Sequence, residues 1–172
     1  IAGFKLSGLC FEGPAEELSL TRNVQPALLA TSVACLKAAA EENELPPASF
    51  AAGHSLGEYS ALVFAGALDF GDAMQLVMTR SRLMDDAAAA NPGGMLALIG
   101  AGVETARGIC QQTGFDISNI NSPQQVVISG PAKLLAGAAE TANAMGVRKV
   151  IELKVSGAFH SRLMRPAAEG LK

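Results

Sequence analysis

One segment sets the architecture of this chain, and it reads Ala48-Ser49-Phe50-Ala51-Ala52-Gly53-His54-Ser55-Leu56-Gly57. Its apolar first half predicts a buried strand, and residues 58–67 after it are rich in good helix formers. A G-x-S-x-G sequence between a strand and a helix is typical of a nucleophile elbow, a tight turn that exposes the serine hydroxyl. We therefore expect Ser55 to be a nucleophile, with a helix that starts at this serine. The alternative is a glycine-rich turn in which the serine only caps the helix.

Composition limits the class of protein. The chain has 172 residues, of which 49% are hydrophobic and 17% are charged, and its net charge is −3. This length fits one domain with a small inserted subdomain. Because no block of Lys and Arg is present, a nucleic-acid groove is not expected. The longest apolar stretches are too short for a membrane span.

The cysteines and histidines bear on compartment and cofactor. The three cysteines are widely spaced and lack a C-x-x-C pair, which predicts buried thiols in a reducing, cytoplasmic compartment. The two histidines lack the spacing of metal ligands, so neither a metal nor another cofactor is expected. The chain begins with Ile1, and we interpret the sequence as a fragment.

Helical periodicity flanks the elbow on both sides. Before it, residues 21–25 lead into a helix that carries Pro26 in its first turn and continues to about Glu44. After it, a break is predicted near Gly66. Asp69 then resembles the N-cap of a helix that runs to about Ala90.

A different pattern begins after the breaker Asn91-Pro92-Gly93-Gly94. Residues 95–155 predict the order strand, helix, strand, strand, helix, strand, which is that of a ferredoxin-like unit. The predicted strands are 95–99, 117–120, 126–129 and 150–155, and the predicted helices are 104–112 and 133–145. We therefore expect three segments: a larger body (1–91), a small subdomain (92–156) and a return to the body (157–172).

A nucleophilic serine needs a base, and histidine has a suitable pKa near neutral pH. His54 adjoins Ser55, so the turn should direct its side chain elsewhere. His160 follows the last predicted strand and is the candidate base; the alternative is a surface or capping histidine. No Asp stands out as the group that orients His160, which leaves a backbone carbonyl or a residue beyond Lys172.

Arg80 carries the most specific chemical clue. It lies within the apolar stripe of its helix, whereas Arg82 falls on the face of Asp85 and Asp86. An arginine in such a stripe costs free energy unless it meets an anion, and its planar fork suits a carboxylate. The substrate would then carry a carboxylate close to the acyl carbon. The alternatives are that Arg80 reaches solvent or pairs with an internal acid such as Glu58.

Several segments together resemble the malonyl-CoA:acyl carrier protein transacylase family. They are residues 21–29 (TRNVQPALL), 53–62 (GHSLGEYSAL), 119–123 (NINSP), 125–130 (QVVISG) and 157–161 (GAFHS). The similarity extends over nearly all of the chain. It implies an α/β-hydrolase-like body with an inserted ferredoxin-like β-α-β-β-α-β subdomain, in agreement with the pattern above.

The resemblance also implies a role for each candidate site residue. Ser55 would be acylated, His160 would be the base, and the backbone amide of Leu56 would form half of the oxyanion hole. Arg80 would bind the malonyl carboxylate and Phe159 would line the acyl pocket. The further substrate-binding candidates are Met84, Asn121 and Gln125, the last two on the subdomain face near the cleft.

The implied activity is that of an [acyl-carrier-protein] S-malonyltransferase of fatty acid biosynthesis. It would act as a cytoplasmic monomer on malonyl-CoA and acyl carrier protein, without cofactor, nucleic acid or membrane. Family members carry an N-terminal Gly-Gln-Gly-Ser-Gln segment that completes the oxyanion hole and a C-terminal stretch that orients the histidine; this sequence contains neither. Two other classes compete: a serine hydrolase (an esterase or thioesterase) on the same elbow, and a non-catalytic domain that docks carrier protein.

Overall fold

Two units divide the chain, Ile1–Arg82 with Leu171 and Leu83–Gly170 with Lys172. The computed structural model describes residues 3–42 and 48–172. Helices form the first unit over its described residues, and the second unit adds a small antiparallel sheet. The fold is therefore mixed α/β.

The first unit is built on two long helices. Its elements are α1 (Leu6–Glu12), α2 (Ala15–Leu18), α3 (Thr21–Glu42), α4 (Gly57–Phe64) and the first half of α5 (Phe70–Ala90). Their apolar faces meet in one core, in which Leu29 and Val33 of α3 pack with Leu56 and with Ala73, Met74 and Val77 of α5. The i, i+4 spacing of Leu29 and Val33 thus predicts the buried face of α3 correctly.

Pro26 lies deeper in α3 than its sequence context predicts, because the helix already begins at Thr21. A proline inside a helix leaves the carbonyl four residues earlier without its intrahelical donor. Here that carbonyl belongs to Arg22. The hydroxyl of buried Ser81 donates to the Met78 carbonyl at 2.9 Å and also approaches the Arg22 carbonyl oxygen at 3.4 Å. The side chain from α5 therefore compensates part of the lost backbone bond. The predicted end near Glu44 lies outside the described residues.

The strand predicted over residues 48–52 is wrong. These residues have no regular secondary structure, and the Phe50 side chain is 94% exposed. A strand needs a neighbouring strand for its backbone hydrogen bonds, and the described residues of the first unit contain none. The apolar run therefore leads into the elbow without regular secondary structure.

The boundaries of α4 and α5 follow the expected signals. The left-handed Gly66 (φ 68°) follows the end of α4, which agrees with the predicted break. The Asp69 carboxylate accepts a hydrogen bond from the amide of Gly71 at 2.7 Å, so this residue caps α5. The predicted end of α5 at Ala90 is confirmed.

The second unit contains the strand and helix order that the pattern predicts. Its elements are β1 (Gly93–Ile99), α6 (Val103–Thr113), β2 (Asp116–Ser122), β3 (Gln125–Pro131), α7 (Leu135–Ala144), β4 (Lys149–Glu152) and α8 (Arg165–Gly170). The strand order is β2-β3-β1-β4, and each neighbouring pair is antiparallel. The last strand ends three residues before the predicted Val155.

The two faces of this sheet pack against different partners, because successive side chains along a strand alternate. One face packs on α6 and α7 through Leu96, Leu98, Val126 and Ile128. The other face, formed by Met95, Ala97 and Val127, packs against Phe159. The sheet thereby holds the segment that carries His160.

Two smaller findings concern solvent exposure and hydropathy. Cys35 on α3 is exposed, and Cys10 and Cys110 are only partly buried, so the prediction of three buried thiols is wrong. All three are free thiols. Among the helices that the structure describes, none combines the length and the apolar character that a membrane span requires.

Candidate active site

Ser55 lies on a turn in the left-handed region, with a φ of 51°. The turn is closed by hydrogen bonds from the Gly57 amide to the His54 carbonyl (2.9 Å) and from the Glu58 amide to the Ser55 carbonyl (3.2 Å). Helix α4 begins at Gly57, two residues later than the expected start at the serine. Positive φ is uncommon for residues other than glycine. In the described part of the chain such residues are Ser55 and His160, the two candidate catalytic residues.

Gly53 allows the elbow to close on itself. A Cβ atom at Gly53 would lie 1.9 Å from the carbonyl carbon of Gly57 and 2.3 Å from the Glu58 amide nitrogen. The first glycine of the elbow therefore permits a close approach of the backbone. At Gly57 a Cβ would have no heavy atom within 4 Å, so the second glycine is not required by packing.

This difference predicts opposite results for two alanine substitutions. Gly53→Ala should lower the free energy of unfolding by about 2–3 kcal/mol, because backbone must move to admit the methyl group. The matched change Gly57→Ala should alter it by less than about 1 kcal/mol, since the methyl group meets nothing and alanine favours the helix. Urea unfolding of the full-length protein measures both. Equal losses would show that the glycine spacing does not set the turn.

Arg80 of α5 directs its guanidinium toward the elbow. Its Nη2 lies 3.4 Å from Ser55 Oγ, at the limit of a hydrogen bond. Its Cζ lies 6.0 Å from the centroid of the Tyr59 ring, and Tyr59 is in the first turn of α4. The nucleophile candidate and the cation are thus neighbours within the first unit.

The environment of Arg80 favours an anionic ligand. Burial lowers the pKa of its guanidinium from the usual value, and the Coulombic effects of Tyr59 and then Glu58 oppose this. No carboxylate of the described residues forms an ion pair with Arg80, so the alternative of a direct pair with Glu58 is not what the structure contains. Arginine remains protonated in proteins. A partly desolvated guanidinium without a carboxylate beside it is suited to bind one from a substrate.

Gln25 is a site residue that the sequence reasoning missed. Its buried side-chain carbonyl accepts a hydrogen bond from Arg80 Nη1. Because a guanidinium can only donate, this contact fixes the oxygen of the Gln25 amide toward Arg80. A signal was present: Gln25 precedes Leu29 and Val33 at four-residue spacing, so it is polar within an apolar stripe, as Arg80 is.

The backbone amide of Leu56 differs from the three amides that follow it in the elbow. The next three amides, of Gly57, Glu58 and Tyr59, are bonded to carbonyls in the turn. The structure gives the Leu56 amide no acceptor among the described residues. The Leu56 side chain is buried in the core of the first unit.

His160 lies on an exposed turn between β4 and the 3₁₀ turn Arg162–Met164 of the second unit, with a φ of 59°. The preceding Ala158 is fully buried, and a Cβ at Gly93 would approach its methyl carbon to 2.6 Å. After it, the Ser161 hydroxyl donates to the Ala158 carbonyl at 2.6 Å and accepts from the Leu163 amide at 3.2 Å. The His160 side chain therefore projects from a closely packed backbone.

The other candidates of the second unit fall into two places. Met84 and the partly buried Phe159 pack in one cluster with small residues of α5 and α8. Asn121 is exposed near the end of β2, and Gln125 begins β3 opposite Ser122. By strand alternation Gln125 shares the sheet face of Val127, against which Phe159 packs.

Comparisons with known proteins agree on one family. A family profile described as an acyl transferase domain matches residues 1–172. The malonyl CoA-acyl carrier protein transacylase of Bacillus subtilis is 49% identical over 98% of this chain and 54% of its own length. The relative from Haemophilus influenzae with the same name is 45% identical over 98% of this chain and 55% of its own length. The chain therefore spans about half the length of the curated relatives that it matches.

Solved structures give the same result. An acyl carrier protein S-malonyltransferase from Vibrio cholerae superposes with a TM-score of 0.90 at 40% identity, covering 98% of this chain and 56% of that one. A malonyl-transacylase solved in complex with its type II polyketide synthase acyl-carrier protein superposes with a TM-score of 0.92 at 42% identity, with the same coverage. At these identities the likeness extends to sequence as well as fold.

Proposed function

The chain belongs to the acyl transferase domain family, and from that premise we propose that it is part of an S-malonyltransferase. The proposed enzyme moves a malonyl group from CoA to the phosphopantetheine thiol of acyl carrier protein, in fatty acid biosynthesis. The similarity to enzymes of this name over almost the whole chain supports the proposal.

One observation in the structure carries the proposal: Arg80 Nη2 lies 3.4 Å from Ser55 Oγ. A malonyl thioester has its carboxylate one methylene group away from the carbonyl carbon that a nucleophile attacks. A cation next to the nucleophile therefore suits this acyl group, and an acetyl group makes no use of it. Gln25 supports the same interpretation, because its carbonyl holds one side of the guanidinium and leaves other N–H donors for the substrate.

We propose acyl transfer in two halves. In the first, His160 takes the proton of Ser55 as Oγ attacks the thioester carbonyl, and the Leu56 amide donates to the resulting oxyanion. When the intermediate collapses, the carbon–sulfur bond breaks, His160 returns the proton to the CoA sulfur, and malonyl-serine remains. In the second, the pantetheine thiol gives its proton to His160 and its sulfur attacks the ester carbonyl. The bond between the acyl carbon and Ser55 Oγ then breaks, His160 returns the proton to that oxygen, and the malonyl group leaves on the pantetheine sulfur.

The substrate-binding roles of Phe159 and Met84 at the acyl group, and of Asn121 and Gln125 on the sheet, are proposals from the family resemblance. The shared cluster of Phe159 and Met84 supports the first pair. The common sheet face of Gln125 and Val127, on which Phe159 packs, supports a role for Gln125. A monomeric state rests on the resemblance alone, and a cytoplasmic location rests on the resemblance and on the cysteine spacing.

For the fold, we propose an α/β-hydrolase-like body over residues 1–91, a ferredoxin-like subdomain over 92–156 and a return to the body over 157–172. The antiparallel order β2-β3-β1-β4 supports the ferredoxin-like part. The elbow turn at Ser55 supports the hydrolase-like part.

Intact-mass and peptide spectrometry of the full-length protein mixed with malonyl-CoA tests the function. A malonyl adduct on Ser55 that disappears when carrier protein is added is the expected result. Release of CoA without an adduct would instead indicate a serine hydrolase. Neither adduct nor CoA release would indicate a domain that docks carrier protein.

Arg80 should determine the choice of acyl group. Arg80→Ala should lower kcat/KM for malonyl-CoA by roughly 30- to 1000-fold, since losing charge-assisted hydrogen bonds costs about 2–4 kcal/mol. Acetyl transfer should fall little or rise, because that group has no carboxylate. The measurement is kcat/KM for both thioesters in the full-length enzyme. Arg82→Ala is the matched control, an exposed arginine on the same helix. Equal losses for malonyl and acetyl would show that Arg80 is structural.

A further inference from the structure

Ser129 is a buried serine whose hydroxyl reaches the histidine turn. It lies in β3 with 0% of its surface exposed, among Val127, Ile128 and Gly130. Its Oγ is 3.0 Å from the carbonyl oxygen of Phe159, thirty residues later. Ser118 Oγ on the neighbouring strand β2 lies 2.5 Å from the same Ser129 Oγ. The strands thus build a chain of two hydroxyls that ends at the residue before His160.

The direction of these hydrogen bonds follows from the groups involved. A carbonyl oxygen can only accept, so Ser129 donates its single hydroxyl proton to Phe159. Its lone pairs then accept the proton of Ser118. A buried hydroxyl is unfavourable unless it is bonded in this way. The hydroxyls of Ser118 and Ser129 consequently both have a defined orientation. The hydrogen bond from Ser129 ends at the Phe159 carbonyl, in the backbone of the turn.

This bond fixes the peptide plane that enters His160. The carbonyl of Phe159 and the amide of His160 belong to one rigid plane. When the carbonyl is held, the plane can no longer rotate freely, which restrains one side of the N–Cα torsion of His160, whose φ is 59°. The His160 side chain is exposed, so its surroundings in this unit do not fix it by burial. The φ of His160 sets the direction in which this side chain leaves the backbone.

We propose that Ser129 is a positioning residue for His160: through the Phe159 carbonyl, it holds the histidine turn in the left-handed conformation that aims the imidazole for proton transfer. This inference rests on the proposed function, in which His160 is the general base. Ser129 acts through the backbone and touches no substrate. Ser118 supports this role, because its hydroxyl donates to Ser129 Oγ and so directs the Ser129 proton toward the Phe159 carbonyl.

Two pairs of variants that differ mainly in the hydroxyl test this in the full-length enzyme: wild type against Ser129→Ala, and Ser129→Thr against Ser129→Val. Rapid-quench acylation of Ser55 by malonyl-CoA should be about 10- to 100-fold slower in the Ala and Val variants, the scale of a small misplacement of a catalytic group. The malonyl-CoA concentration that gives half of the maximal acylation rate in these single-turnover measurements should be unchanged. The Thr variant should be faster than the Val variant by a similar factor. Equal rates within each pair would overturn the proposal.

Two further measurements separate this inference from the assignment of His160 as base. In the His160→Ala background, Ser129→Ala should cause no further loss, and a full additional loss would contradict a role through His160. The backbone NMR shifts of His160, which report its φ, should move in the Ala and Val variants and stay in the Thr variant. Unchanged shifts in Ser129→Ala would overturn the proposal, whereas a normal acylation rate in His160→Ala alone would overturn the proposed function. If the Val variant fails to fold, Ser118→Ala provides the second test. Its acylation rate should fall and its His160 backbone NMR shifts should move in the same direction as in Ser129→Ala, both by a smaller amount.

Discussion

Ser55→Ala should abolish the malonyl adduct and lower the rate of malonyl transfer by about 10⁴- to 10⁶-fold, the scale seen when an enzyme loses its nucleophile. The alanine has no oxygen to form the ester, so neither half of the reaction can occur through the enzyme. Slow hydrolysis of malonyl-CoA, which releases CoA, should persist because the groups that bind the substrate remain. The measurements are peptide mass spectrometry for the adduct and transfer of labelled malonyl to carrier protein for the rate.

The control for this change is Ser60→Ala, which removes a hydroxyl about one turn further along in α4. It should keep the adduct and most of the rate. A malonyl adduct at normal yield in Ser55→Ala would rule out this serine as the nucleophile and would leave the elbow a structural turn.

His160→Ala should slow the acylation of Ser55 by roughly two to four orders of magnitude, the usual contribution of a general base. The proton of the serine hydroxyl then has no acceptor of suitable pKa. Stopped-flow measurement of CoA release in the first turnover reports this step separately from transfer to carrier protein.

His54→Ala is the matched control, because the chain has two histidines and this one adjoins the elbow. We expect it to affect stability more than rate. If His54→Ala abolished acylation while His160→Ala left it unchanged, the roles of the two histidines would be reversed.

Local patterns in the sequence predict a large part of the described structure. The helical spacing of Leu29 and Val33, the Asp69 cap and the alternating strands of the second unit are all found as expected. Each depends on residues a few positions apart, whose side chains share one face or one turn. The strand predicted over residues 48–52 is wrong because a strand does not depend on nearby residues alone. A strand depends on a partner strand, and no local pattern supplies one.

The candidate site shows the same limit. Ser55 and Arg80 are found from local signals, one from a turn motif and the other from a charge in an apolar stripe. Gln25 and Ser129 were missed because each is defined by its partner, Arg80 across 55 residues and Phe159 across 30. A buried amide or hydroxyl is a signal that some partner exists, but the sequence does not identify the partner.

The left-handed backbone at Ser55 and His160 has a consequence for protein engineering. Glycine or asparagine fits that conformation with less strain than serine or histidine, so these two positions work against stability by about 1 kcal/mol each. Under the proposed function both residues are catalytic, so a design procedure that rewards stability alone would replace them and return a better-folded, inactive protein. Stability and the proposed activity are then in conflict at these positions, and a thermostable variant has to gain its stability elsewhere in the chain.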